Sequence, residues 1–356
     1  MFAKTAPGRR VPAEPLKPVV DPAGWYPAEM AATDSWIYPL SSSEIAEVAD
    51  VAARLESRGA DIVKIRREDF PLPRLRHGLG DIHDELLEGR GFVLIRGLPV
   101  GEWTRLRSAI AYWGIGTHLG RALSQNASGH MLGHVKDLGG DYGDPKVRGY
   151  LTSARMGFHA DQCDFVALLC LHPAKSGGAS RIASSVTLYN ELLKRRPDLV
   201  AELVQDFYWT RHGEVKHGEL PWFKLPIFSF ERGYMSGRGV SSYVFKSQGL
   251  PGVPTFTAHQ KEALDMFRTV VEEIALDMMF EQGDIQILHN HVTLHSRAAF
   301  EDWPEPARKR HLYRLWLRDD PGRPLLKAFR DHIRGIELED FVPTAPLDPE
   351  IAGVVT

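Results

Sequence analysis

His159-Ala-Asp161 is a His-x-Asp triplet. On a strand, residues i and i+2 point to the same face, so both side chains can reach one metal ion. A lone triplet of this kind arises by chance in a chain this rich in His and Asp, and its commonest meaning is a surface pair or a hydrogen-bonded His. A second segment changes the reading. Gly283-Asp-Ile-Gln-Ile-Leu-His-Asn-His-Val-Thr-Leu-His295-Ser-Arg297 runs from a strand-like stretch into His289, His291 and His295, and one of these can supply a third ligand. Two His and one carboxylate on one side of an octahedron leave three positions open, the arrangement used by non-haem iron(II) oxygenases. The plainer alternative makes the three His polar positions of a half-exposed strand. A third segment, Arg310-His-Leu-Tyr-Arg314-Leu-Trp-Leu, alternates so that Arg310, Leu312, Arg314 and Trp316 share one face. An arginine on an inward face needs an anion beside it. At roughly 3.3 Å per residue the Cα atoms of Arg310 and Arg314 lie about 13 Å apart, enough to serve two separate carboxylate-sized partners. An outward face beside Arg308 and Lys309 competes with that reading.

Such residues need a scaffold, and the chain divides into two kinds of pattern. The first forty residues are dense in proline (Pro7, Pro12, Pro15, Pro18, Pro22, Pro27, Pro39) and show no sustained period, so residues 1–40 are expected to form an extended or partly disordered arm. After the arm, Ser43 is expected to cap a helix carrying Ile45, Val48, Ala49, Ala52 and Leu55 at helical spacing until Gly59. Leu75 to Leu87 and Thr104 to Trp113 read as further helices, and Phe92 to Arg96, set between glycines, as a buried strand. From about Tyr150 short β-rich runs such as Phe165 to Leu171 alternate with turn residues, the pattern of a sandwich or barrel. Two helices interrupt it, Thr187 to Arg195 and one opened by the capping box Thr257-x-x-Gln260. Residues 207–256 are crowded with aromatics and loop formers, and read equally as a lid or insertion and as extra strands of the same core. A single domain over 41–340 and a tail over 341–356 complete the division.

Composition narrows the function. With 356 residues, 43% apolar and 25% charged, the chain can build a large packed core. Its net charge of −3 supplies no positive field for a nucleic-acid backbone or an anionic membrane. No 18-residue apolar run and no signal-peptide pattern occurs, so a membrane partner is not expected. The two cysteines, Cys163 and Cys170, are too few to staple the chain and too far apart for a Cys-x-x-Cys pair, which points to a reducing cytoplasm. Homo-oligomers are compatible with all of this.

Taken together, the His-x-Asp triplet, a distal His followed at fifteen residues by Arg and then by Arg four later, and the phrases GFVLIRGLP, GFHADQCD, SGGASRIAS, GDIQILHNHVTLHSR and RHLYRLWL resemble the TauD/TfdA family of Fe(II)- and 2-oxoglutarate-dependent dioxygenases, over roughly residues 90 to 318. The resemblance implies an α+β fold with a mainly β core, a double-stranded β-helix or jelly roll flanked by helices. It implies that His159, Asp161 and His295 hold iron(II), that Arg310 pairs with the distal carboxylate of 2-oxoglutarate, and that Ser180 stands where members often have a Thr hydroxyl on the same carboxylate. Arg314 matches a position that faces the sulfonate of taurine in the taurine enzymes, so a small anionic substrate is expected. The implied reaction uses O₂ to oxidise an unactivated C–H bond and releases succinate and CO₂. Halogenating relatives have a small residue in the place of Asp161, so its carboxylate favours hydroxylation or another oxidation.

Other residues stay open. Cys163 shares the face of His159 and Asp161 if their strand continues, though a buried inert thiol is its commoner role. His118 and the Gln125-Asn126 pair lie in the region of the substrate site without being fixed by spacing. Two other classes remain: a zinc-dependent hydrolase or isomerase with the same ligand set, against which Arg310 argues, and a non-catalytic β-sandwich binding module.

Overall fold

The computed structural model describes residues 2–5, 8, 10–140, 149–338 and 341–347. In chain order, the strands of its two main sheets are Ile37–Pro39 (β1), Phe92–Arg96 (β2), Arg121–Leu123 (β3), Gly133–Lys136 (β4), Met156–His159 (β5), Phe165–His172 (β6), Ser180–Ser184 (β7), Leu276–Met278 (β8), Ile285–His289 (β9), Thr293–Arg297 (β10) and His311–Arg318 (β11). The larger sheet runs β1-β2-β9-β6-β11-β3, with β4 also paired to β11. The smaller runs β8-β7-β10-β5 and is antiparallel throughout. Neither sheet closes on itself. They face each other as the two halves of a jelly roll, and one apolar cluster joins Phe92, Leu94, Val166, Leu288 and Trp316 of the larger to Ile182, Leu276 and Met278 of the smaller.

The strand β6 is buried on both faces, which is why it reads as a continuous hydrophobic run rather than clean alternation. In β6, Phe165, Ala167 and Leu169 join Tyr313, Leu315 and Leu317 of β11 under the helices Ser42–Ser57 (α1), Arg76–Glu88 (α2) and Arg105–Thr117 (α3). The opposite faces of the same strands, with Val166, Leu312, Arg314 and Trp316, look into the space between the sheets. Behind the smaller sheet, the helices Ser185–Arg195 (α4) and Ala258–Glu273 (α5) form a second core with Phe207, Trp209, Phe228 and Phe267. Among the described residues no helix is long and apolar enough to cross a membrane.

Caps set the helix starts. Thr257 and Gln260 form the expected capping box of α5. In α1 the cap is Ser41 rather than Ser43, because Ser41 is followed three residues later by Glu44, whose carboxylate returns a bond to the Ser41 N–H at 2.8 Å. Within 206–256 lie two hairpins, Asp206–Thr210 with Trp222–Pro226 and Phe228–Glu231 with Tyr234–Gly237, followed by the short helix Ser242–Lys246. The proline-dense N-terminal segment is tied to the body where it is described. Arg10 bonds Asp21, Asp21 bonds Arg323, and the buried Trp25 donates its indole N–H to the Arg90 carbonyl at 2.9 Å. The tail is described to residue 347, where Thr344 bridges to His130, and the rest of it lies outside the described residues.

Candidate active site

His159 ends β5, and β10 runs beside it in a register that places His295 directly opposite, with the two rings 4.2 Å apart. The strand does not continue to Asp161, which follows in the loop, yet the side chains converge. Ligand atoms of His159, Asp161 and His295 all lie within 4.8 Å of one another, and among the described residues this is the one His/Cys/Asp/Glu cluster close enough to hold a metal. His289 and His291 lie apart from it. His289 is in the core against Phe165, and His291 bonds Asp164 at 2.9 Å. Because the chain turns after Asp161, Cys163 also leaves the site and lies buried, accepting a bond from the Asn290 amide.

The protonation states suit a divalent cation. The His159 Nδ1 faces the Gly157 carbonyl at 2.9 Å, and a carbonyl only accepts, so Nδ1 carries a proton and Nε2 is the ring atom turned toward Asp161. Burial, followed by the neighbouring His159, pushes the His295 imidazole down to about 3, so it is neutral. Its Nδ1 is buried without a hydrogen-bond partner. Burial pushes the Asp161 carboxyl up, but Arg314, His295, His159 and the Trp316 N–H outweigh it and hold it below the ordinary carboxylate range. Two imidazoles and one carboxylate are the donor set iron(II) takes. Trp316 Nε1 donates to Asp161 Oδ2 at 2.7 Å and fixes its orientation.

Two cavities meet at this cluster, and His159 and Arg314 line both. The smaller, between the sheets, is lined by Arg310, Ser180, Leu168, Leu312, Val135 and His295. Arg310 is 4% exposed, its Nη1 is buried without a hydrogen-bond partner, and burial pushes its guanidinium down to about 10. Gly178 makes room for it: φ is +70°, and a Cβ there would stand 3.2 Å from Arg310 Nε. A buried cation with an N–H left unpartnered fits the distal carboxylate of 2-oxoglutarate. Ser180 lines the same cavity, but its hydroxyl donates to Gln286 Oε1 at 2.9 Å.

The second cavity, of about 250 Å³, is bordered by Asp161, Trp316, Tyr150, Gln162, Tyr243 and Arg238. Arg314, expected to face the primary substrate, reaches this cavity with its fork engaged: Nε donates to Gln125 Oε1 at 2.7 Å and Nη1 lies 3.4 Å from Asp161 Oδ2. Gln125 is oriented in turn, its amide N–H groups donating to the carbonyls of Met131 and Arg314. Two other acids, Asp284 and Glu301, are taken up elsewhere, Asp284 on Arg96 and Glu301 on Lys175. His118 bonds the Phe70 carbonyl and lines a wider surface cleft that contains none of the three clustered residues. Sequence reasoning missed Arg238 and the role of Trp316, although Trp316 already shared the alternating face of Arg314.

The model of the taurine catabolism dioxygenase TauD, TfdA family matches residues 56–316. The chain belongs to the TauD/TfdA family. It is 30% identical over 330 residues to FR-33289 synthase of Streptomyces rubellomurinus, covering 90% of this chain and 96% of that protein. It is also 30% identical over 314 residues to the taurine hydroxylase-like protein SAT17 of Stachybotrys chartarum, covering 84% of this chain and 80% of the relative. Among solved structures, asparagine oxygenase in complex with Fe(II), 2S,3S-3-hydroxyasparagine and succinate superposes with a TM-score of 0.61 at 18% identity, covering 79% of this chain and 93% of that one. As a TauD/TfdA member, the chain is a non-haem dioxygenase whose metal is iron(II) and whose cosubstrate is 2-oxoglutarate.

Proposed function

We propose that His159, Asp161 and His295 hold one iron(II), that Arg310, with Ser180 beside it, holds 2-oxoglutarate in the smaller cavity, and that a small anionic molecule enters the larger one to have an unactivated C–H bond oxidised. The observation that carries this reading is the convergence of two imidazoles and one carboxylate between two cavities. Bound there, iron(II) and 2-oxoglutarate would activate O₂, the oxidant of both the C–H bond and 2-oxoglutarate, with succinate and CO₂ released. The chain's own residues bind and orient. The Gly157 carbonyl keeps the His159 proton on Nδ1, so that Nε2 is free for the metal. Trp316 and Arg314 hold the Asp161 carboxylate ionised and aimed. Arg310 takes the distal carboxylate of 2-oxoglutarate, and Leu168, Leu312 and Val135 exclude water around it. Arg314 contributes to the positive character of the larger cavity while it supports Asp161. A reducing, cytoplasmic setting belongs to the same proposal, supported by Cys163 and Cys170 being free buried thiols.

The test is an anaerobic titration of the Fe(II)·2-oxoglutarate protein with a panel of small acids and amines, read by visible absorption, then by succinate formation after air is admitted. Succinate formation that needs both iron and 2-oxoglutarate is expected. Turnover of a hydrolysable ester with zinc alone, and none of 2-oxoglutarate with iron, would overturn the reading.

A further inference from the structure

The larger cavity contains a cation that neither the iron site nor the cosubstrate cavity uses. Arg238 follows the second hairpin, is 5% exposed, and has its Nε buried without a hydrogen-bond partner. Its guanidinium carbon lies 4.9 Å from the Trp209 ring centroid and 5.8 Å from that of Phe223, rings that shield the charge from water and offer it no strong acceptor. Burial pushes its pKa down to about 10, against the pull of Tyr243, Asp161 and Cys163. The one carboxylate in that group, Asp161, is already held by Trp316 and Arg314. A buried guanidinium with an N–H left unpartnered and no carboxylate of its own is unfavourable, so it is retained where a ligand supplies the counter-charge.

We infer that Arg238 is the anchor for the acidic group of the primary substrate, gripping a compact carboxylate, sulfonate or phosphonate of the molecule oxidised beside Asp161. This rests on the oxygenase reading of the site and adds to it the residue that selects the substrate. The backbone gives the anchor its reach. Gly239 pairs with His159 in an antiparallel bridge, and the Ala160 N–H donates to the Arg238 carbonyl at 3.1 Å. At Gly239 φ is +81°, and a Cβ would stand 2.9 Å from His159 Cα, so only glycine lets the two chains approach this closely. Anchor and metal ligand therefore share one rigid unit, and the C–H bond oxidised lies at a set offset from the gripped acid. The two arginines of the cavity divide the work: Arg314 positions Asp161, and Arg238 chooses the substrate.

The experiment uses the full-length Fe(II)·2-oxoglutarate protein under nitrogen. Acetate, methanesulfonate and methylphosphonate are titrated while tryptophan fluorescence is followed, since Trp209 and Trp316 border the anchor and the cavity. Saturable binding of at least one of the three is expected. Arg238→Met should weaken it about tenfold or more, with Arg238→Lys intermediate, while 2-oxoglutarate affinity stays within about twofold. Removing a buried unpaired charge should leave the melting temperature of Arg238→Met equal to or above that of the parent. Unchanged anion affinity in Arg238→Met, no saturable anion binding by the parent, or a lowered melting temperature in both variants would each overturn the inference. A parent that binds the anion through Arg238 but forms no succinate once air is admitted would refute the oxygenase reading and leave the anchor standing.

Discussion

Arg323 and Arg238 touch the same hairpin and are equally hidden, at 6% and 5% exposure, yet the fold treats them in opposite ways. Arg323 is matched from within the chain: Nη2 donates to Asp21 Oδ2 at 3.0 Å and to the Met235 carbonyl at 2.8 Å. Arg238, three residues beyond Met235, has aromatic rings where Arg323 has a carboxylate and a carbonyl. Arg310 resembles Arg238, with a buried Nη1 lacking a partner and the Phe300 ring 5.2 Å away. A buried arginine that serves the fold is neutralised by the fold, whereas one that serves a ligand keeps its fork for the ligand. Losing the first kind should damage stability, and losing the second should damage binding.

The sharpest test begins at the feature both cavities share. His295→Ala should abolish iron binding and succinate formation together, read as iron per chain and succinate yield. If that variant kept both, the assignment of His295 as a ligand would be wrong. Next, Arg310→Met should weaken 2-oxoglutarate binding by about 2 to 5 kcal/mol, since the cosubstrate carboxylate loses a charge-assisted bidentate partner. Its melting temperature should not fall, and a clear drop would move Arg310 into the class of Arg323.

Asp21→Asn should do the reverse, lowering stability by about 3 kcal/mol in denaturant unfolding because Arg323 is left buried without its carboxylate, while 2-oxoglutarate affinity is retained. The pair also has a pH signature. Burial pushes the Asp21 carboxyl up, but Arg323, Arg10 and the Ala23 N–H outweigh it and hold it below its ordinary value of 3.8. Because the folded pKa is the lower one, the stabilisation is fully present above that ordinary value and is lost as pH falls through the folded pKa. Unfolding curves of parent and Asp21→Asn should converge in acid, and a constant gap between them down to acid unfolding would contradict the clasp. The smallest effect is expected from Trp316→Phe, which removes one N–H from Asp161 without removing charge. Iron affinity should drop about tenfold, a size usual for a group that orients a metal ligand. An unchanged iron titration would show that Arg314 alone suffices to aim the carboxylate.

The parts of the site that were legible in the sequence all sit on, or directly beside, regular strands. Period-two alternation put Arg310, Leu312, Arg314 and Trp316 on one face, and the two cavities are lined from that face. The same alternation carried His159 and Asp161 together, although the strand ends at His159 and the loop geometry completes the approach. The three histidines after Gln286 could not be ranked by composition. Only the pairing of β10 with β5 sets His295 opposite His159, while His291 turns to Asp164.

Arg238 was illegible for a different reason. Its rings come from the first hairpin and its close neighbour is the backbone of His159, about eighty residues earlier in the chain. No local period records such contacts. Nor can a sequence show that a charge lacks a partner, because Asp and Glu are plentiful and any of them could have been the match. What the sequence by itself determined is the residue types, their strand-by-strand faces and the helix caps, which follow from short-range sterics and the fixed periods of the backbone. What only the tertiary structure decided is which charges meet. Asp21 reaches Arg323, Asp161 is shared by Arg314 and Trp316, and Arg238 Nε and Arg310 Nη1 are buried without a hydrogen-bond partner, because ion pairing depends on distances and desolvation that exist only once distant segments have packed together.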